Sequence, residues 1–343
     1  MQPFYENNEP QYYAHHQCIL LMELLNDQGI DSHRYLKGTG LFYDEIVKTH
    51  KLMTAHQFIK FIENAQKLGD ASTPFRWGHA MWPGHYDVFS QLVNNSHSLH
   101  QLLSVLQEFS QALCPLVKPI LVEGKESSVI YWQDEIGVSS VSDFLMTAYS
   151  TALSAVCHWL MGSKLTWRVC LQGMPPKNIE EYQVNLGGAI QFGCGVNLLV
   201  VNNQELNKPW QKTIPDSVQA ILLRQAHSQY KFHNHGLVGA LLEYCQNNIH
   251  KHISLEDAAH AFAMSSATFK RKLKQHNTSF QKIQDRARLR TCLYLQHEKQ
   301  WSNQQIAQFL KFSDSNNFRK AFKRWCGQTP SHMREILLEV MEG

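Results

Sequence analysis

Cysteine pairs spaced two residues apart are lacking here. The eight cysteines, at 18, 114, 157, 170, 194, 245, 292 and 326, are scattered. That excludes the usual zinc-finger and dithiol spacings and predicts reduced, packed thiols. No uninterrupted apolar run reaches the ~18 residues that a membrane helix needs. The opening stretch, MQPFYENNEP, has neither the basic nor the apolar region of a secretory signal. A cytoplasmic protein is expected. Catalytic signatures are equally scarce: GxSxG, a Walker A loop, GxGxxG and HExxH are all absent, and His297-Glu298 lacks a second histidine. No enzyme, cofactor or metal is therefore expected. Histidine itself is plentiful, at 19. His233 with His235, and His250 with His252, lack the acidic or cysteine partners that would complete a metal site. His79 and His85 flank Trp82-Pro83 as candidate pocket-lining residues.

The chain has 343 residues, enough for two domains, and its 43% hydrophobic content allows ample burial. Its net charge of +3 hides an asymmetry. Residues 254–343 hold 15 Lys and Arg against 8 Asp and Glu, whereas residues 1–253 hold 17 against 21. A polyanionic partner is expected for the C-terminal part. The opposite charges would also let the two parts dock.

That basic region contains one pattern twice. SLEDAAHAFAMSSATFKRKLK begins at Ser254 and SNQQIAQFLKFSDSNNFRKAFK at Ser302. Ser254, Ala258, Ala259, Phe262 and Met264 align with Ser302, Ile306, Ala307, Leu310 and Phe312. Beyond the turn the offset grows by one residue, so that Phe269, Lys270, Arg271, Leu273 and Lys274 align with Phe318, Arg319, Lys320, Phe322 and Lys323. Each copy reads as a helix-turn-helix, with apolar residues on one face and a short turn before a second helix. Ser265 and Asp314 are candidate caps. In the first copy Ala267, Lys270, Arg271 and Lys274 face outward; in the second, Ser315, Asn316, Arg319, Lys320 and Lys323 do so. Arg271, Asn316 and Arg319 have the side chains that read base edges, whereas Lys274 and Lys323 suit phosphates. Phe280 to His297 reads as a spacer helix of roughly 27 Å. That is close to the ~34 Å between successive major-groove faces, with DNA bending to cover the shortfall. Double-stranded DNA is the expected partner.

The preceding residues read as α+β. Helical spacing runs from Cys18 to Gly69, from Ser98 to Leu113 and from Ser142 to Met161. Ile120–Glu123 and Val129–Trp132 predict a hairpin. Leu165–Leu171, Ala189–Phe192 and Asn197–Val201 predict further strands, with a short helix over Asn178–Leu186 ended by Gly187-Gly188. Residues 1–14 read as loose. The expected division is an α+β effector-binding and dimerisation domain over 15–210, a linker region over 211–234 with a helical middle from Val218 to Tyr230, and an all-α DNA-binding domain over 235–343.

From His235 to Arg334 the sequence resembles the AraC/XylS family of bacterial transcription regulators. IAQFLKFSDSNNFRKAFKRWCGQTPSHMR carries the likeness, with Phe312, Phe318, Phe322, Lys323, Gly327, Thr329 and Pro330 at the family's signature positions. Lys311 and Ala263 stand where the family commonly has glycine. Ala267 replaces a larger contact residue, which implies a first unit that reads fewer bases. From about Ile19 to Trp210, the WGHAM stretch, SLHQLLSVLQEF and QFGCGVNLLVVNNQELNKP are similar to the arabinose-binding-type sensor domain of one branch. The resemblance implies an activator gated by a small molecule, acting as a homodimer with RNA polymerase; the aromatic content is compatible with an apolar effector and equally with an ordinary core. Which residues bind the effector is left open. A constitutive DNA binder whose first domain only dimerises, or an enzyme fused to a DNA-binding domain, are the alternatives.

Overall fold

The computed structural model describes residues 4–187, 189–210, 214–229 and 235–342. Among the described residues, nine strands enter in chain order: β1 (Phe4–Tyr5), β2 (Pro10–Tyr13), β3 (Leu52–Thr54), β4 (Val117–Val122), β5 (Ser127–Asp134), β6 (Trp167–Leu171), β7 (Ala189–Phe192), β8 (Leu198–Asn202) and β9 (His235–Gly236). Helices and short connections make up the rest of the described residues. The N-terminal part is mixed α and β and the C-terminal part helical, entered through β9.

The main sheet has the order β4-β5-β8-β6-β7. Its neighbours are antiparallel except β6 and β7. A parallel pair needs a crossover, which the helix Ile179–Leu186 supplies. The hairpin predicted around Gly124 is β4 with β5.

The helix Ser142–Met161 is long and apolar enough to cross a membrane by length and composition, yet most of it is buried inside the fold. It packs on the helix Thr73–Met81 at Gly78, where a Cβ would stand 2.4 Å from the Ala148 carbonyl oxygen and 2.7 Å from Thr151 Cβ. Only glycine permits that approach.

Both faces of the sheet are covered, and β8 shows how. Leu199 and Val201 belong to the N-terminal core. Leu198 and Val200 belong instead to a second core with Cys292, Ile306, Phe318 and Phe322 of the C-terminal part. Side chains alternate along a strand, so an unbroken Leu-Leu-Val-Val run is what a strand buried on both sides requires. The sheet is a wall shared by the two parts of the protein. All eight cysteines are free and buried, and Cys170, Cys194, Cys292 and Cys326 lie in this shared core.

The N-terminal segment corrects a sequence expectation. Residues 4–13 form two strands instead of a loose tail. β1 pairs in parallel with β9, and β2 is antiparallel to β3. Tyr5 and Tyr12 are buried, and the Tyr12 hydroxyl donates to that of Tyr5 at 3.0 Å. Aromatic residues at both ends of a polar run supply the burial that its composition conceals.

Between the two parts, Asp216–Gln229 is a helix. Leu222 and Ala226 are in the N-terminal core, and His227 Nε2 lies 2.9 Å from Glu108. The remaining linker positions 211–213 and 230–234, which include His233 and Tyr230, lie outside the described residues, as does Gly188.

Candidate nucleic-acid interface

The first repeat forms the helices Leu255–Ala261 and Ser266–Gln275; the second forms Asn303–Phe309 and Ser315–Cys326. Each pair begins with a capping box, Ser254 with Asp257 and Ser302 with Gln305. Such a cap contributes about 1 kcal/mol. The recognition helices are capped by Ser265 and Asp314, which accept from the Thr268 and Asn317 amides. These caps are 49 residues apart and the capping-box serines 48, which accounts for the change in offset. The amide hydrogen bonds hold the exposed Asp314 carboxyl below its usual range.

The turns repeat as well. Ala263 has φ 55° and Lys311 φ 58°. The Met264 amide donates to the Ala259 carbonyl at 2.9 Å, and the Phe312 amide to the Ala307 carbonyl at 2.9 Å. This is the six-to-one bond of a Schellman motif, whose left-handed residue is ordinarily glycine. The two departures from the family pattern therefore sit at the two strained positions.

Phe269 and Leu273 anchor the first recognition helix, and Phe318, Phe322 and Cys326 the second. Phe262 meets Phe269 with ring centroids 5.4 Å apart, and Phe312 meets Phe318 at 5.5 Å. Opposite these anchors, Ala267, Lys270, Arg271, Lys274, Ser315, Asn316, Arg319, Lys320 and Lys323 are all exposed. Among the described residues, none of the six cations in that set forms an ion pair. Neighbouring cations do: Lys272 pairs with Glu6, and Arg324 with Asp285 at 3.4 Å. Asn317 is turned back to Ser313 and Asp314, bonding both at 2.8 Å. It supports the turn and differs in role from Asn316. The helix Phe280–His297 joins the two units with the bounds that the sequence predicts.

This spacer helix also faces the sheet, and part of the basic charge counted for DNA is spent there. Arg286 Nη1 donates to Asp134 at 3.0 Å. The Arg290 guanidinium carbon lies 4.5 Å from the Tyr131 ring centroid, and its Nη1 donates to Gln133. Burial lowers the Arg290 pKa from its usual value. A cavity of about 530 Å³ opens between the sheet and this helix. Val129, Tyr131, Leu198, Leu289, Arg290 and Trp325 are among the residues lining it. Sequence reasoning did not single out these lining residues, and the signal that could have pointed to the cavity is an arginine pair four residues apart on the spacer, at 286 and 290. The pocket expected near His79 and His85 is not at this cavity. His79 Nε2 is 2.7 Å from Asn185 Oδ1, and His85 is exposed.

Other contacts fix the first unit. His276 Nδ1 lies 2.7 Å from the Ile136 carbonyl oxygen, so its neutral ring donates there. Buried Glu135 accepts from the Gly236 amide at 3.1 Å and from Gln133 at 2.7 Å, and lies 3.2 Å from His235 Nδ1. The arm before β2 reaches the same unit: Phe4 meets Phe262 at 5.4 Å, and Asn7 Nδ2 donates to the Gln275 carbonyl at 2.9 Å.

Residues 29–210 match the family model described as the arabinose-binding domain of AraC transcription regulator, N-terminal, and residues 258–336 match a helix-turn-helix domain. The chain is 28% identical over 323 residues to an ornithine utilization regulator of Pseudomonas aeruginosa, covering 92% of this chain and 94% of that one. It is 29% identical over 160 residues to the HTH-type transcriptional activator RhaS of Pectobacterium carotovorum, covering 45% and 57% respectively. The transcriptional regulator CdpR of Pseudomonas aeruginosa aligns over 95% of this chain and 99% of its own, with a TM-score of 0.40 and 14% identity.

Proposed function

Because the chain belongs to the AraC family of DNA-binding transcription regulators, with that family's arabinose-binding-type domain at residues 29–210, we propose that it is a promoter-binding activator controlled by a small molecule held between its two parts. In this reading residues 15–210 form the effector-binding and dimerisation domain, 211–234 the connection, and 235–343 the DNA-binding domain. Arg271, Asn316 and Arg319 read bases. Lys270, Lys274, Lys320 and Lys323 hold phosphates, and Ala267 and Ser315 line the approach. RNA polymerase and a second copy of the chain are the further partners.

The observation that carries effector control is the position of the cavity. It lies between the sheet and the one helix that joins both recognition units. A ligand there contacts the element whose placement sets the spacing of the two readers. Arg290 forms no ion pair with a carboxylate among the described residues, and the cavity wall is more apolar than polar, its one carboxylate, Asp134, being already paired with Arg286. A small organic anion with an apolar body fits that lining.

The test is the melting temperature and promoter occupancy of the full chain across a panel of amino acids, aryl carboxylates and medium-chain fatty acids. One class should raise both, with the response lost in Arg290→Met. If occupancy is high and unchanged by every compound, the first domain serves only for assembly, and effector control falls.

A further inference from the structure

We propose that His15, His16 and Asp87 form a binding site for a divalent transition-metal ion of the zinc class. The site lies at the junction of β2 with the helix Ala14–Asp27, and none of its three residues lines the cavity. One ligating atom from each of the three residues falls within 4.8 Å of the others. His16 is 3% exposed, and its Nε2 has no hydrogen-bond partner among the described residues. Asp87 Oδ2 is 3.8 Å from that nitrogen, too far for a hydrogen bond. His15 Nδ1 is likewise buried without a partner. Two neighbouring imidazoles with orphaned buried nitrogens are costly in a folded protein unless something satisfies them. A bare cation satisfies both at once.

The donor chemistry fits that class of ion. Two imidazoles and a carboxylate form a nitrogen and oxygen set that zinc accepts in tetrahedral geometry, with bonds of about 2.0–2.2 Å. Ligand atoms must then close to separations of about 3.3 Å, a contraction of side chains and not of the fold. His50 can complete the shell, since its ring centroid is 5.1 Å from that of His15 and its side chain is exposed. Sulfur is not offered: Cys18 points to Met53, with sulfurs 3.6 Å apart. Asp87 is held at φ 50° and ψ −129°, a region that non-glycine residues rarely occupy. The helix N-termini that meet here oppose a cation, but weakly compared with three direct ligand bonds.

A metal would tie the root of the N-terminal arm to the helix that Asp87 begins. The test uses the full chain, stripped with chelator and then given one equivalent of zinc chloride. Wild type should retain one zinc per chain after gel filtration and melt at a higher temperature, because an ion bound only by the folded state stabilises it. Cobalt in place of zinc should give the visible absorption of a tetrahedral site. His15→Ala and Asp87→Asn, both at the accessible side, should weaken zinc binding at least tenfold and abolish the cobalt band. His332→Ala, at another His–carboxylate contact on the last helix, should retain both. Failure of wild type to retain zinc, or equal retention by His15→Ala and Asp87→Asn, would overturn the site. Circular dichroism of the variants separates lost ligation from lost folding.

Discussion

The Arg290 guanidinium lies over the Tyr131 ring, 4.5 Å from its centroid, and this contact joins the helix between the DNA readers to the sheet of the sensor domain. A partly desolvated cation–π pair is worth about 0.5–2 kcal/mol. In a double-mutant cycle of Arg290→Met and Tyr131→Leu, denaturant titration should return a coupling in that range. Tyr131→Phe keeps the ring and should leave the coupling in place. Additive single effects would remove the contact from the forces that seat the helix.

The two kinds of cation on the recognition helices should behave differently. Arg319→Ala should cost about 1–3 kcal/mol on the cognate promoter and relax preference at one base pair. Lys323→Ala should weaken binding to all sequences alike and flatten the salt dependence by about one counterion. Binding measured on matched and mismatched duplexes at several salt concentrations distinguishes these outcomes. The reverse pattern would exchange the roles.

Lys311 is held at φ 58°, which for a side chain with Cβ costs about 1 kcal/mol relative to glycine. Lys311→Gly should therefore raise stability by about that amount while reducing promoter affinity, if the ammonium meets phosphate. Ala263→Gly, at φ 55°, should stabilise without changing affinity. Melting curves and DNA titrations on both variants check the separation.

Acid should loosen the seam at His276. Burial lowers its pKa below the usual 6.5, although its bond to the Ile136 carbonyl pulls the other way. A depressed imidazole pKa means that the unfolded chain takes up the proton first. Its contribution to stability is therefore complete above about pH 6.5 and is lost as pH falls from there through the folded-state value. His276→Gln should flatten the pH dependence of unfolding below pH 6.5. An unchanged slope would assign that dependence to other groups.

Gly239 marks another close approach along the same stretch, Glu135 to Gly137. A Cβ there would stand 2.0 Å from Glu135 Oε2, and the Glu135 carbonyl also accepts from the Val238 and Gly239 amides at 3.2 Å each. Gly239→Ala must displace that buried carboxylate. We expect a loss of about 1–3 kcal/mol and faster proteolysis between the two parts, read by limited digestion.

The repeat was legible because its information is local. Capping serines, the three-and-four spacing of Ala258, Ala259 and Phe262, and the bulky Phe318 and Phe322 fix helix ends and faces from neighbours a few residues away. The same holds for Ser142–Met161 and for Ala189–Phe192, whose observed bounds match the expected ones. β1 was not legible, since its partner β9 lies some 230 residues further along the chain. Nor was the direction of Arg286 and Arg290, which composition alone assigns to DNA with the other cations. Only the placement of the spacer against β5 turns them inward. His15 and His16 become a site through Asp87, a residue that sequence does not place beside them.

The two-sided burial of β8 limits how this protein can move. If the DNA-binding part swung clear of the sheet, Val129, Leu198 and Val200 would meet water, together with the aromatic residues they now cover. A hinge motion would leave an adhesive surface behind each time it opened. Sliding keeps such a face covered throughout, and packed layers that shift by small steps are an established way to switch. Any movement of the DNA-binding part against the sheet is therefore better pictured as a change of gear between two meshed surfaces than as the opening of a gate.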